Sequence, residues 1–178
     1  MTMLDKTGYP LDNFFMIEIA ILYILNKYDC TIYKLSKLIE EYFFAYIKTS
    51  AGTVHPALDR LLDKNCVSFV ERMSSGGLKS KTFSITTAGI KYLEDLLINF
   101  RETNPNRIIQ EAKVVLFCSN VLSVGQLIEF RENLLNNLEL YKLKLEKGLK
   151  NEYIDLSETQ KKLAQNSIEE VEKLIKLI

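Results

Sequence analysis

The sequence contains very few residues that bind metals or form covalent cross-links. Its 178 residues include one histidine, three cysteines and no tryptophan. Cys30, Cys66 and Cys118 are widely spaced and form no CxxC pair, so they predict neither a disulfide framework nor a zinc site. A single histidine also excludes any metal site that needs two imidazoles. We therefore expect reduced thiols, no bound metal and no cofactor.

Glycine, proline and long apolar runs are scarce as well. Seven glycines and three prolines exclude a collagenous or low-complexity chain. The most apolar stretch near the start, Phe14 to Leu25, contains Glu18 and is shorter than the roughly 20 residues that a bilayer span needs. It also lacks the small-residue cleavage site of a signal peptide. We therefore expect a soluble globular protein that stays in the cytoplasm.

The sequence motifs of common enzymes are missing too. The chain contains no GxSxG, GxGxxG, HExxH or Walker phosphate loop. Ser50 and His55 lie about one helical turn apart, but such a pair lacks an oriented base and an oxyanion site. No catalytic residue is therefore predicted.

Opposite charges balance over the whole chain but not within it. The formal net charge is zero, whereas residues 33–81 hold 8 basic and 5 acidic side chains. This small excess becomes evidence for an anionic partner only if the fold gathers the basic residues on one face.

The first half of the chain predicts three consecutive helices. Apolar residues recur at three- and four-residue steps from Phe14 until about Tyr28-Asp29. Thr31 is a candidate cap of the second helix, and Ser50 is a candidate cap of the third. Pro56 removes a backbone donor from the third helix, so we expect an irregular start or a kink there.

A hairpin and a fourth helix follow. The β-branched and aromatic runs Val67–Val70 and Thr82–Ile85 predict two strands with Gly76-Gly77 in the turn between them. Thr86 or Thr87 can cap the fourth helix, whose apolar stripe includes Ile90. This order of elements is that of a winged helix-turn-helix, in which one face of the third helix is free to enter a major groove.

The second half of the chain predicts helices only. A helix is expected from about residue 107 to 118, and Ser123 with Gln126 has the spacing of a capping box for a long helix that ends near Leu149. Ser157 and Gln160 form a second such pair, before a final helix with a heptad seam.

Apolar stripes along the last two helices predict a homodimer. Two striped helices with only one short helix beside them cannot easily hide both stripes within one chain, although packing on their own chain is the alternative. The residues predicted at the dimer interface are Leu127, Phe130, Leu134, Leu138, Tyr141, Leu145, Ile168, Val171 and Ile175. A dimer would set two third helices about 34 Å apart, one turn of DNA.

The expected fold is therefore mainly α (α+β) and has two domains. Residues 1–100 form the winged helix-turn-helix domain, which is expected to bind DNA, and residues 101–178 form the helical dimerisation domain.

Three sequence motifs carry a resemblance to a known family. Ser50 to Leu62 reads SAGTVHPALDRLL and resembles the signature S-x-G-T-x-Y-P-A-L-x-x-L of the PadR family of transcriptional regulators, with His55 in place of the tyrosine. Thr31 to Leu35 resembles the family's H-G-Y-E-L at Tyr33 and Leu35. The segment from Gly76 to Gly89 resembles its wing, and residues 101–178 are similar in length and pattern to the helical C-terminal domain of its larger subfamily.

The resemblance implies a regulator, and specifically a repressor, that binds a dyad-symmetric operator in double-stranded DNA as a homodimer. Thr53 and His55 are then candidates to contact base edges, and Gly52 permits close approach of the backbone. The candidates for phosphate contacts are Tyr33, Lys34, Lys37, Ser50, Arg60 and Lys64. In the wing, Lys79 and Lys81 would reach the flanking backbone or the minor groove. A small aromatic or lipophilic effector is a further expectation, because some relatives respond to phenolic acids and others to lipophilic cations.

Each candidate also has a purely structural interpretation. His55 can be partly buried and satisfied, and Tyr33 can serve packing alone. Arg60 and Lys64 can pair with surface carboxylates such as Asp59, Asp63 or Glu41, while Lys79 and Lys81 can simply solvate a hairpin. At the level of the whole protein, the alternative is a winged-helix adaptor that binds protein and not DNA.

Overall fold

The computed structural model describes residues 14–49, 51–73 and 79–178. The chain divides into two compact units, Met1–Leu96 and Leu97–Ile178, whereas the predicted boundary fell after residue 100. The elements are α1 (Phe14–Leu25), α2 (Ile32–Tyr42), α3 (Ala51–Asp63), β1 (Val67–Met73), β2 (Lys79–Ile85), α4 (Thr87–Ile98), α5 (Ile108–Cys118), a 3₁₀ turn (Ser119–Val121), α6 (Val124–Leu149) and α7 (Glu158–Ile175). No helix in these described ranges is long and apolar enough to cross a membrane.

Helix α1 is the centre of the first unit. Every side chain from Ile17 to Leu25 is buried, including the carboxylate of Glu18. A helix that is apolar all round needs neighbours on every side, and α2, α3 and β2 all contact it. Glu18 is the one charged residue in this helix, so its partners matter for the stability of the unit.

Helix α2 begins where the sequence predicts. Thr31 is its N-cap, and the side-chain oxygen accepts a hydrogen bond from the backbone N–H of Lys34 at 3.4 Å. Leu35, Ile39 and Phe43 are buried on one face, which fixes the rotation of the helix about its axis. The residues at the start of α2 therefore point away from the core.

Helix α3 includes Pro56 and buries one apolar face. Val54, Leu58 and Leu61 are buried, and Leu62 is half-buried. The cap predicted at Ser50 lies outside the described residues. After α3, Asn65 has a positive φ of 56°, and the N–H of Cys66 donates to the carbonyl of Leu61, so the chain turns sharply into β1.

The hairpin is longer than predicted. β1 and β2 pair antiparallel from Val67 opposite Ile85 to Met73 opposite Lys79, three residues beyond the predicted strand end on each side of the tip. Cys30 adds an isolated bridge to Phe83. The turn predicted at Gly76-Gly77 lies outside the described residues.

Helix α4 packs unusually close to the start of β1. Thr86 accepts a hydrogen bond from the N–H of Gly89, so the first of the two predicted caps is used. A Cβ on Gly89 would lie 2.0 Å from the carbonyl oxygen of Cys66, which only a glycine allows. Ile90, which was predicted on the buried stripe, is 39% exposed because Gly89 occupies the inward position.

The second unit consists of α5, the 3₁₀ turn, α6 and α7. Both predicted capping boxes are confirmed, at Ser123 with Gln126 and at Ser157 with Gln160. In each box the serine side chain accepts from the glutamine backbone and the glutamine side chain accepts from the serine backbone.

Inside this unit the two apolar stripes pack against each other. Helices α6 and α7 are neighbours, and an ion pair joins Lys142 of α6 to Glu172 of α7 at 2.6 Å. A second ion pair joins Lys113 of α5 to Glu170 of α7 at 2.7 Å. Of the predicted dimer residues, the ones buried within a single chain are Phe130, Leu134, Leu138, Ile168 and Val171. Those that are half-buried are Leu127, Tyr141, Leu145 and Ile175. The first five therefore pack within one chain, and the place of the other four in a dimer interface stays a prediction.

Candidate nucleic-acid interface

An open groove of about 550 Å³ lies between the start of α2, the outer face of α3 and strand β2. It exists because α2 and α3 each bury one face on α1 and leave the other toward solvent, while β2 runs alongside. Four predicted DNA-binding residues line it, namely Tyr33, His55, Lys79 and Lys81. The remaining lining residues are Thr31, Ile32, Leu58, Asp59, Leu62, Ser80 and Phe83.

The outer face of α3 is defined by its exposed side chains. Gly52, His55, Asp59 and Asp63 are exposed and follow one another at steps of three, four and four residues, so they share one face of the helix. His55 is therefore not a buried histidine, which removes the structural alternative for it. Thr53 is half-buried at the margin of this face.

The start of α2 adds a tyrosine and two lysines. Tyr33 is 80% exposed, so packing alone does not explain it. Lys34 is exposed, and Lys37 pairs with Glu41 at 3.8 Å across one helical turn. Both partners of that pair are more than half exposed, so the pair contributes little and leaves Lys37 available for another anion.

Strand β2 contributes the basic residues of the wing. Lys79 and Lys81 are exposed, and Lys81 lies opposite Glu71 across the hairpin. The ammonium of Lys81 also lies 4.1 Å from the ring centroid of Phe69, which is a cation–π distance. The ring limits the freedom of this lysine and holds its charge beside the groove.

Two predicted DNA-binding residues, Arg60 and Lys64, point away from the groove. The Nε of Arg60 donates to Oε1 of Glu18 at 2.8 Å, and Nζ of Lys64 donates to Oε2 at 3.1 Å. The partner is a carboxylate of α1 that is only 8% exposed, and not the surface carboxylates considered from the sequence. Residue types on α3 alone could not reveal which side chain of α1 lies opposite them.

Tyr92 of α4 completes this cluster around the buried Glu18. Its hydroxyl lies 2.7 Å from Nζ of Lys64 and donates to Oε2 of Glu18 at 3.2 Å. Burial acts to lower the pKa of Lys64, but the hydrogen bonds to Tyr92 and Glu18 outweigh it and raise that pKa. Burial raises the pKa of the Tyr92 hydroxyl. The cluster thus keeps Lys64 charged and Tyr92 protonated while it ties α3 to α1 and α4.

Comparisons with known proteins identify the family. Residues 21–95 match the model of the transcriptional regulator PadR-like family. A PadR family transcription regulator from Clostridium difficile R20291 is 34% identical over 44% of this chain and 79% of its own, with a TM-score of 0.39. The chain belongs to the PadR family. This PadR-like chain is accordingly a transcription regulator, and that family is not a class of enzymes.

Longer PadR structures match most of the chain at lower identity. Bacillus subtilis PadR in complex with operator DNA is 17% identical over 89% of this chain and 92% of its own, with a TM-score of 0.45. The same protein in complex with p-coumaric acid is 16% identical over 90% and 93%, with a TM-score of 0.41. None of the curated proteins compared with this PadR-like chain matches it.

Proposed function

We propose that this PadR-like regulator acts as a repressor that binds a dyad-symmetric operator in double-stranded DNA as a homodimer. The observation that carries the proposal is the groove in which the exposed face of α3, the start of α2 and the basic strand of the wing meet. A promoter dyad covered by such a dimer is closed to polymerase. The place of action would be the cytoplasm.

His55 and Thr53 are the proposed readers of base edges. His55 is exposed on the outer face of α3, and a neutral imidazole can donate or accept a hydrogen bond. Thr53 lies two residues earlier, near the start of the helix that enters the major groove in this fold. Base-edge contacts give sequence preference, so these residues would decide the operator.

The proposed phosphate contacts lie around the groove. Tyr33, Lys34 and Lys37 would hold one backbone from α2, and Lys79 with Lys81 would reach the flanking backbone from the wing. Ser50, outside the described residues, and Gly52 would supply close contacts at the start of α3. Arg60 and Lys64 have a revised role, because their bonds to Glu18 make them positioning residues of α3.

The dimer is proposed to form through the second unit, on apolar side chains that the sequence stripes did not include. Residues of α6 and α7 that remain more than 45% exposed are Val124, Ile128, Leu140, Leu143 and Leu163. We call this set the exposed apolar residues of the second unit. Contact through them would remove apolar area from water on both copies.

A small aromatic or lipophilic effector is proposed as an additional ligand. A cavity of about 190 Å³ in the second unit is lined by Ile108, Leu140, Tyr141 and Asn137, among others. Asn137 Oδ1 is buried and has no hydrogen-bond partner among the described residues, so the cavity favours a ligand with an apolar body and one donor.

Phenol at millimolar concentration should raise the melting temperature of the wild type more than that of Asn137→Leu. An equal rise for both would remove the site.

The test of DNA reading is the variant His55→Ala. Genomic fragments pulled down with the protein give the operator, and titrations then compare the operator with a random-sequence duplex. His55→Ala should weaken operator binding about 5- to 100-fold, because a good base contact provides about 1–3 kcal/mol, and it should leave random-duplex binding nearly unchanged. Equal losses on both duplexes would contradict a role in base reading.

The adaptor function remains the second candidate from the sequence, and the same titration separates the two. Clear, salt-dependent binding to random duplex is expected of the regulator. An adaptor that binds protein would give no binding to duplex at low salt.

A further inference from the structure

The exposed face of α3 is acidic. Among its described residues, Asp59 and Asp63 are the charged side chains on that face. Asp59 lines the groove beside His55, and none of the described residues forms a hydrogen bond or ion pair with its carboxylate. A carboxylate in this position faces whatever enters the groove.

The cluster around Glu18 explains why no cation at this end of α3 offsets that charge. Arg60 and Lys64, the two cations at this end of the helix, bond to Glu18 on the opposite side. An arginine on the outer face would suit the two acceptors of guanine, but here that option is absent. A carboxylate also repels phosphates, so Asp59 would weaken any binding mode that brings a backbone against α3.

The chemistry of base edges identifies what Asp59 can accept from. In the major groove, guanine presents two acceptors and thymine presents an acceptor and a methyl group, so both leave a carboxylate without a donor. Adenine presents a donor next to the N7 acceptor, which repels a second acceptor. Cytosine presents the N4 amino group as a donor alone, so it is the base that matches a carboxylate.

We infer that Asp59 is a specificity-determining residue that accepts a hydrogen bond from the N4 amino group of a cytosine in each operator half-site. The inference rests on the proposed DNA-binding function and adds to it the base that one side chain reads. His55 lies one turn earlier on the same face, so the two side chains would read neighbouring base pairs. Glu18 holds Arg60 and Lys64 away from the outer face of α3, and Asp59 repels phosphates there. DNA binding by α3 would therefore depend on the bases and not on charge attraction.

Asp63 provides a matched control. It is exposed on the same face of α3 one turn later, but it does not line the groove and lies at the end of the helix. Asp59→Ala and Asp63→Ala each remove one carboxylate from the same helix. Only the first should change base preference. Both side chains are exposed, so both variants should melt within a few degrees of the wild type.

The experiment selects half-sites from a random duplex library with the full-length wild type, then measures affinity for all four bases at each contacted position. We expect one position at which cytosine is favoured at least about tenfold over the other bases, within the range of a good base contact. Asp59→Ala should reduce that preference to about threefold or less, and Asp63→Ala should keep it. Replacement of this cytosine by 2-pyrimidinone, which lacks the amino group, should weaken binding by the wild type and not by Asp59→Ala.

Two results would overturn the inference while DNA binding stands. One is a selected site with no cytosine preference at any contacted position, and the other is a preference that Asp59→Ala keeps or that both variants lose equally. If the wild type shows no salt-dependent binding to any duplex, the proposed function itself fails and the inference fails with it.

Discussion

At the scale of the residue, Glu18 holds Arg60 and Lys64 away from the groove. It lies in an otherwise apolar helix, and its two carboxylate oxygens accept hydrogen bonds from Arg60, Lys64 and Tyr92. Burying a carboxylate is costly unless it is paired, so these bonds are a condition for α1 to occupy the centre of its unit. The other cations that are proposed to contact DNA lie on α2 and on the wing.

The variant Glu18→Gln tests this cluster. Gln keeps the shape but leaves Arg60 and Lys64 without their anion, and we expect a loss of about 1–3 kcal/mol in the free energy of unfolding, less than for a fully buried pair because both cations are partly exposed. Chemical denaturation of the wild type and the variant measures this loss in unfolding free energy. The control is Glu41→Gln, which breaks the exposed pair with Lys37 and should cost less than about 0.5 kcal/mol. Similar losses in both variants would show that Glu18 has no special role.

At the scale of the element, local signals in the sequence predict the order of helices and strands well. Caps at Thr31, Ser123 and Ser157 are confirmed because each depends on residues three apart in the chain. Predictions that depend on which element packs against a given helix face were less successful. The inward bonds of Arg60 and the exposure of Ile90 follow from tertiary packing, which a single helix pattern does not contain.

The contact between α4 and β1 gives a prediction at this scale. Gly89→Ala places a methyl group against the carbonyl of Cys66, and we expect a loss of about 1–3 kcal/mol of unfolding free energy from overpacking. Gly125 of α6 has no heavy atom within 4 Å of a built Cβ, so Gly125→Ala should be neutral or stabilise by up to about 1 kcal/mol. Thermal melts of both variants check this. Equal effects would contradict the close approach of α4.

At the scale of the whole molecule, the stripes of α6 and α7 are buried in part within one chain. The heptad seam predicted apolar helix contacts correctly but could not show whether the partner was a second helix of the same chain or another copy. The proposed dimer therefore depends on the exposed apolar residues of the second unit.

Ile128→Glu tests that surface. Ile128 is 59% exposed in α6, so the change should leave the fold intact, while a charge at a dimer contact should raise the dissociation constant about tenfold or more. Sedimentation velocity over a range of concentrations measures it. Val70 of the wing has the same exposure, and Val70→Glu should leave the dissociation constant unchanged. A wild type that sediments as a single copy at all concentrations would exclude the dimer.

The groove between α2, α3 and the wing is proposed to bind DNA through its basic residues. The most direct measurement is the slope of log affinity against log salt concentration for the wild type and for the double variant Lys79→Ala, Lys81→Ala on the same duplex. Each neutralised phosphate contributes about 0.9 to that slope, so we expect a linear decrease in affinity with salt for the wild type and a slope about 1–2 smaller for the double variant. Binding that does not depend on salt, or a slope that the double variant leaves unchanged, would contradict the claim.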